Sequence, residues 1–420
     1  LPFKDLGLIV VDEEHDPSYK QDEGLIYNAR DMAIARASIE DLPIILVSSV
    51  PSLETFNHIK NKKYRHTKIL KRFNDYPLPE TKIVNLNLEN LKNKYISRET
   101  TKIVDEYLKK KEQILFFLNR RGYAPFLICK KCGHKHACPN CSIYLTYHKS
   151  IDKVVCHHCG YKRMINKKCI DKKNNCDFTM YGPGVEKIFD ELKIKYPEKN
   201  IEIFSSDYLS KRKESEEIFQ KIKKNQVDIL VGTQMISKGF NFPKLNCIVV
   251  VDADFSGKGY DLRSTEKNIQ LYNQLGGRAG RFSSKSIIIY QTITPSNETL
   301  KDLLQNNPEK FLENELLIRK SNNLPPFKRL IAMVVSSKSK EFSLIGAREI
   351  KKKIQTIEGL EVLGPVDSPI FRVKKMYRTR LLLRSKNEIF IQKKLVKFLN
   401  KMKISSKIKL TVDVDPINFT

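Results

Sequence analysis

Eight of the nine cysteines fall between positions 129 and 176, as the pairs Cys129/Cys132, Cys138/Cys141, Cys156/Cys159 and Cys169/Cys176. In the first three pairs two residues separate the thiols, a spacing that lets one tight knuckle present both thiolates to a single tetrahedral ion. Four pairs supply enough ligands for two closed zinc sites. Six residues separate the last pair, which leaves two arrangements open: a distorted site, or a histidine standing in for a thiolate. His134, His136, His148, His157 and His158 all lie nearby. Disulfides are the alternative, but they need an oxidising compartment, and the sequence begins with no secretory pattern. Four thiolates leave an ion no open position, so such zinc shapes a surface and does not hydrolyse anything. Cys247 lies in an apolar run and reads as a small buried hydrophobe.

A second set of residues suits phosphoryl transfer. The near-continuous apolar run 6–12 ends in Asp12-Glu13-Glu14-His15, which places carboxylates at the strand end where open α/β sheets bind ligands. One acid there can hold Mg2+ through water and a second can orient the attacking water. Ser48-Ser49-Val50-Pro51-Ser52 follows the next strand as a hydroxyl-rich turn. Downstream come Gly232-Thr233-Gln234-Met235-Ile236-Ser237-Lys238-Gly239 and Gln274-Leu275-Gly276-Gly277-Arg278-Ala279-Gly280-Arg281. Arg278 and Arg281, three apart where a helix should end, can reach a triphosphate as fingers that stabilise developing charge.

Apolar runs at 42–47, 113–118, 228–231 and 246–251 read as further strands buried on both faces, with a helix at 28–40 and helix-like segments between the others. That alternation predicts a doubly wound α/β architecture. The cysteine-rich stretch breaks the rhythm and reads as an inserted module. After Pro325-Pro326 the pattern becomes strand 330–336, helix 342–357, strands 360–363 and 379–383, helix 388–402 and strand 407–414, the β-α-β-β-α-β order of a ferredoxin-like domain.

The chain of 420 residues carries 76 Lys and Arg against 48 Asp and Glu, a net charge of +28. The excess is clustered: residues 321–420 are net +14 and residues 129–178 net +8. Two concentrated basic regions point to a polyanion, whose counterions are released when phosphates are neutralised. No apolar run approaches the roughly 18 residues of a membrane span, so no membrane is expected and a cytoplasmic location is.

Asp-Glu-x-His, the Ser-x-x-Pro turn, Gly-Thr-Gln-Met with Lys-Gly, and Gln-x-x-Gly-Arg-Ala-Gly-Arg resemble motifs II, III, V and VI of superfamily 2 helicases. Together with Asn119-Arg120-Arg121-Gly122-Tyr123-Ala124-Pro125, the inserted cysteine module and Asp413-Val414-Asp415-Pro416, they resemble the primosomal protein N-prime (PriA) family of replication restart helicases over essentially the whole chain. The resemblance implies two RecA-like motor lobes: the C-terminal part of lobe 1 at 1–72, a linker at 73–96, lobe 2 at 97–128 and 179–320, a zinc insertion at 129–178 and a C-terminal DNA- and partner-binding domain at 321–420. It implies ATP with Mg2+ and two zinc ions, one held by Cys129, Cys132, Cys169 and Cys176, the other by Cys138, Cys141, Cys156 and Cys159. Gln274, Gly277 and Gly239 would line the nucleotide site, and Tyr19, Tyr27, Thr233, Gln234 and Lys238 would meet DNA. The implied activity is 3′-to-5′ unwinding at stalled or branched forks. The implied partners are branched and single-stranded DNA, single-stranded DNA-binding protein, other primosome proteins and the replicative helicase loading machinery, with the chain itself a monomer.

Several positions depart from the family pattern. Ser49 and Val50 stand where Ala-Thr is usual, Leu25-Ile26 where a tryptophan is expected, and Gly182-Pro183-Gly184-Val185-Glu186 lacks a threonine. The phosphate loop and further DNA-binding domains are expected ahead of Leu1, where the sequence opens inside a buried-strand pattern with no Met. A rival reading is a zinc-bearing DNA-binding scaffold without ATPase activity.

Overall fold

The computed structural model describes residues 3–21, 24–69, 72, 75–89, 94–118, 126–129, 135–148, 153–156, 158–164, 178–181, 184–205, 212–234, 242–254, 262–282, 285–297, 300–302, 307–387 and 391–418. At its centre is a parallel sheet of six strands in the order Ile201–Phe204, Ile229–Gly232, Gln113–Phe117, Leu245–Val250, Ile287–Thr292 and Glu80–Asn85. Every residue of the two middle strands is buried, as expected of a parallel sheet covered on both faces. Ile114 and Phe116 pack with Val104 and Leu108 of helix Arg98–Lys109 and Ile188 and Leu192 of helix Val185–Lys195. Leu115 and Phe117 face the other way, onto Tyr272 and Leu275 of helix Ser264–Gly276. The strand Glu80–Asn85 falls inside the stretch read as a linker, yet all six of its residues pair with Ile287–Thr292. Its mixed sequence, Glu-Thr-Lys-Ile-Val-Asn, is that of an edge strand and lacks the continuous apolar run that revealed the central ones.

Ahead of this sheet, Ile9–Val11 pairs in parallel with Ile44–Leu46 across helix Ala29–Ile39. Asn28 caps that helix, its side chain accepting from the Arg30 amide at 3.0 Å. Beyond residue 327 the order strand, helix, two strands, helix, strand appears as expected, over Lys328–Ser337, Lys340–Ile354, Leu360–Val373, Met376–Lys386, Ile391–Lys401 and Lys409–Val414. Its four strands form an antiparallel sheet in which Lys328–Ser337 lies between Met376–Lys386 and Lys409–Val414, with Leu360–Val373 on the outer edge. Ile331, Met333, Val335, Leu381 and Leu383 turn toward the helices and make the core. The two middle strands run far past the expected 360–363 and 379–383, because the basic segment between them continues as a paired hairpin with no apolar alternation. Among the described residues no helix is long and apolar enough to cross a membrane.

The strand-end loops on either side of the central cleft are held together by an apolar seam and an ion cluster. Val50, Leu53 and Phe56 pack on Ile269, Phe311, Leu312 and Leu316. Arg263 meets Glu54 with both terminal nitrogens, at 2.8 and 2.6 Å. Glu266 accepts from the Leu53 amide at 3.0 Å and from Arg319 at 3.3 Å. Farther out, the buried ammonium of Lys20 pairs with Asp413 at 2.6 Å and donates to the Val414 carbonyl at 2.8 Å, while Lys267 donates to the Ile417 carbonyl at 3.2 Å.

Burial would raise the Glu54 carboxyl, but Arg263, with help from Arg30, outweighs it and holds the pKa at about 2, down from 4.5. A depressed carboxylate contributes stability that is complete above the ordinary range and lost as pH falls toward the folded value. Between pH 4.5 and 2, unfolding of the wild type should therefore depend more steeply on pH than unfolding of Glu54→Gln; equal slopes in an acid titration of stability would refute the pairing. Arg263→Ala removes both guanidinium contacts to the buried Glu54 carboxylate and should cost about 3–5 kcal/mol in denaturant unfolding.

Candidate functional site

The end of strand Ile9–Val11 divides three carboxylates among three places. Asp12 is exposed at the strand terminus, where its side chain accepts from the Glu13 amide at 2.9 Å. Glu13 takes a left-handed backbone, φ 48°, and the turn aims its side chain into a cavity of about 320 Å3. Glu14 does not line that cavity. It is buried behind it, accepting from the Ser52 amide at 2.6 Å, the Ser52 and Thr55 hydroxyls at 3.0 and 3.1 Å and Arg30 at 3.0 Å. So engaged a carboxylate fastens the acidic loop to helix Leu53–Lys60.

Ser49 lines the same cavity from the next loop, and Gln274, Gly277, Arg278 and Arg281 line it from the opposite side of the cleft. Helix Ser264–Gly276 ends there. Gly280 holds φ +65°, a conformation that a side chain would strain, and the turn it makes puts both guanidiniums on the cavity wall. A Cβ on Gly277 would come within 3.3 Å of the Gln274 carbonyl. Arg281 donates through Nε to the Gly277 carbonyl at 2.9 Å. Burial and the neighbouring Arg281 depress the Arg278 pKa, with Glu13 opposing them across the cleft.

His15 ties the two sides together. The Gln274 amide lies 3.2 Å from its Nε2, and its Nδ1 is 2.6 Å from the Ser48 hydroxyl. Each ring nitrogen meets a different side of the cleft, Nε2 the Gln274 amide and Nδ1 the Ser48 hydroxyl. Glu13 Oε2 is 3.6 Å from the same Nε2. One imidazole thus touches the acidic loop, the hydroxyl turn and the last turn of the helix that carries the arginines. Val50, found where a threonine hydroxyl is usual, is fully buried in the apolar seam, and the hydroxyl of this turn that His15 meets is that of Ser48.

Sequence reasoning missed Arg72. It lines the cavity, donates to the Pro77 carbonyl at 2.6 Å and the Ala279 carbonyl at 3.0 Å, and has its pKa lowered by burial and by Arg281. As one arginine in a basic stretch, it carried no signal that spacing could reveal. Tyr19 gives its hydroxyl to the Asp12 carbonyl at 2.7 Å, and Tyr27 is exposed on the small hairpin Lys20–Gln21 with Tyr27–Asn28. Thr233 is buried just after Ile229–Gly232, with Gln234 exposed beside it. Lys238 and Gly239 lie outside the described residues, as do Cys132, Cys169 and Cys176.

The sulfurs of Cys138, Cys141, Cys156 and Cys159 all lie within 4.8 Å of one another. Thiolates about 2.3 Å from one tetrahedral ion would be about 3.8 Å apart, and Cys138 and Cys159 are separated by 3.6 Å. Burial pushes the Cys141 thiol up to about 12 and raises Cys138 as well, whereas at Cys159 burial is outweighed by hydrogen bonds from the Tyr161 amide and the other sulfurs, which lower it to about 7. The donor set and spacing fit zinc. His136 is not part of this group of four sulfurs, and its Nδ1 meets Arg163 at 2.6 Å. Cys129 is buried at the end of strand Phe126–Cys129.

Three family models match: the Primosomal protein N C-terminal domain over 320–417, the Helicase conserved C-terminal domain over 160–283, and the PriA DNA helicase Cys-rich region over 138–163. The replication restart protein PriA of Rickettsia felis is 39% identical over all of this chain. The chain belongs to the PriA family. It spans 65% of the length of that Rickettsia PriA; PriA of Haemophilus influenzae and of Bacillus subtilis, 33% and 32% identical over 99% of the chain, are covered to 57% and 52%. Among solved structures, yeast Dbp5 bound to RNA and RecG bound to a three-way DNA junction each align over 75% of the chain and 63% and 30% of their own, at 12% and 13% identity and TM-scores of 0.38 and 0.36. At such scores these PriA-to-helicase likenesses bear no further weight. Cys138→Ser should remove one equivalent of bound zinc while the central sheet stays folded; zinc content equal to the wild type would exclude this group as a site.

Proposed function

We propose that the chain is the motor and C-terminal portion of an ATP-driven DNA helicase that restarts replication. The observation carrying this reading is that Glu13 and the pair Arg278 and Arg281, some 260 positions apart in sequence, face one cavity across a cleft. In this reading the cavity takes a nucleoside triphosphate with Mg2+. Asp12 assists the ion, which supplies charge neutralisation at the phosphates, and Glu13 orients the attacking water. Arg278 and Arg281 stabilise the charge that builds up as the phosphoryl group leaves. Arg72, bracing the Ala279 carbonyl, is a third guanidinium aimed at the same anion. The His15 relay to Ser48 and Gln274 lets the two sides of the cleft report closure to each other.

The boundaries at 72, 128, 178 and 320, the RecA-like nature of both lobes and the ferredoxin-like reading of the last domain belong to this proposal, with the second lobe extended forward from 97 to take in its edge strand Glu80–Asn85. Their support is the parallel six-stranded sheet and the strand order of the C-terminal sheet. Family membership supports 3′-to-5′ polarity, recognition of branched forks, a second zinc on Cys129, Cys132, Cys169 and Cys176, and dealings with single-stranded DNA-binding protein and the loading machinery. Tyr19, Tyr27, Thr233, Gln234 and Lys238 are the proposed DNA contacts, and Glu14 and His15 the proposed link from hydrolysis to the DNA path.

In the intact protein, Glu13→Gln should reduce DNA-stimulated ATP hydrolysis by about 100-fold or more while fork binding is retained. Full hydrolysis in that variant would leave only a zinc-bearing DNA-binding scaffold. Arg278→Ala should lower kcat by about 1000-fold, and Arg72→Ala should act mainly on the KM for ATP; a KM unchanged in steady-state assays would remove Arg72 from the site.

A further inference from the structure

The tip of the C-terminal hairpin rests on the zinc ribbon. Strands Leu360–Val373 and Met376–Lys386 are joined by Lys374 and Lys375 alone, with φ of 49° and 65°. A two-residue turn of this hand needs both residues left-handed, and Asn-Gly ordinarily supplies them. Two lysines there are strained, and strained backbone persists where the surroundings over-determine it.

The surroundings in this case are the knuckle of residues 138–142. The Lys374 amide donates to the Cys141 sulfur at 3.4 Å, and the Lys375 amide to the Asn140 carbonyl at 2.8 Å. The Ser142 amide donates to the Arg372 carbonyl at 2.9 Å, and the Arg372 amide to the Ser142 hydroxyl at 3.1 Å. The Arg372 guanidinium reaches the Pro139 carbonyl at 3.1 Å. Val373 packs against the cysteine cluster itself. A segment more than 230 residues from the knuckle in sequence therefore uses backbone hydrogen bonds to read the loop between two ligands.

We infer that the C-terminal domain completes the hydrogen bonding around the Cys138, Cys141, Cys156 and Cys159 metal site, and that the metal in turn docks this hairpin. An amide donating to a metal-bound thiolate makes a charge-assisted bond, stronger than one to a neutral thiol. Zinc with four thiolates carries a net charge of about −2, and Arg372, Lys374 and Lys375 bring positive charge to its edge. The metal also fixes the knuckle whose Pro139 and Asn140 carbonyls the hairpin uses. Linkage then requires the dependence to run both ways: whatever loosens the hairpin loosens the metal, and the reverse. None of this depends on ATP or DNA.

Transfer of zinc to a chelating dye, together with amide exchange of the intact protein, tests both directions. Lys374→Pro abolishes the amide and cannot adopt the left-handed backbone, so one equivalent of zinc should leave about 10-fold faster. Lys374→Asn combined with Lys375→Gly keeps both amides and suits the turn, so zinc should leave no faster than from the wild type. In the wild type, stripping zinc should abolish exchange protection at Lys374 and Lys375 while amides of residues 379–383 stay protected. An unchanged release rate in Lys374→Pro overturns the inference, as does undiminished protection of the two turn amides after zinc removal. The second measurement stands whether or not the proline variant folds.

Discussion

Two strand-end loops can form one site only if something holds them at a fixed angle, and in this chain that constraint is the Arg263 cluster. Its guanidinium grips Glu54 with two nitrogens, while Glu266, one helical turn along, accepts from the Leu53 amide on the far side of the cleft. Ions removed from water contribute little net stability, yet they tolerate almost no displacement. The apolar seam around Val50 and Leu53 supplies adhesion without direction. Bearing and adhesion together set where helix Ser264–Gly276 ends, and so where Arg278 and Arg281 point. The His15 bridge, only 3.2 Å from Gln274, would not survive a small rotation of that helix.

Much of the architecture was legible because buried parallel strands announce themselves. The runs that became Gln113–Phe117, Ile229–Gly232 and Leu245–Val250 are apolar throughout, and the β-α-β-β-α-β order of the last domain survived intact. What escaped lacked that signature. Glu80–Asn85 is an edge strand whose composition resembles a loop, and the hairpin tip pairs across a basic stretch with no apolar alternation. Pairing at an edge depends on what lies alongside, which no window of sequence contains.

The site was legible to the same degree and for a similar reason. Residue type and order assembled Glu13, Gln274, Gly277, Arg278 and Arg281 around one cavity. Direction was not available: Glu13 and Glu14 are adjacent in sequence, but the left-handed turn at Glu13 sends one into the cleft and the other into a nest of hydroxyls. Val50, puzzling as a replacement for a hydroxyl, is explained by the seam it fills. Arg72 became visible only once the chain had folded back onto the Ala279 carbonyl.

The final strand is moored on both banks of the cleft. Lys20, on the side of the acidic loop, holds Asp413 and the Val414 carbonyl, while Lys267, on the arginine-bearing helix, holds the Ile417 carbonyl. A strap fastened at two such points cannot stay slack when the banks move apart or together. Any displacement of one bank against the other would have to stretch or shed a mooring, which ties the C-terminal sheet to the geometry of the gap.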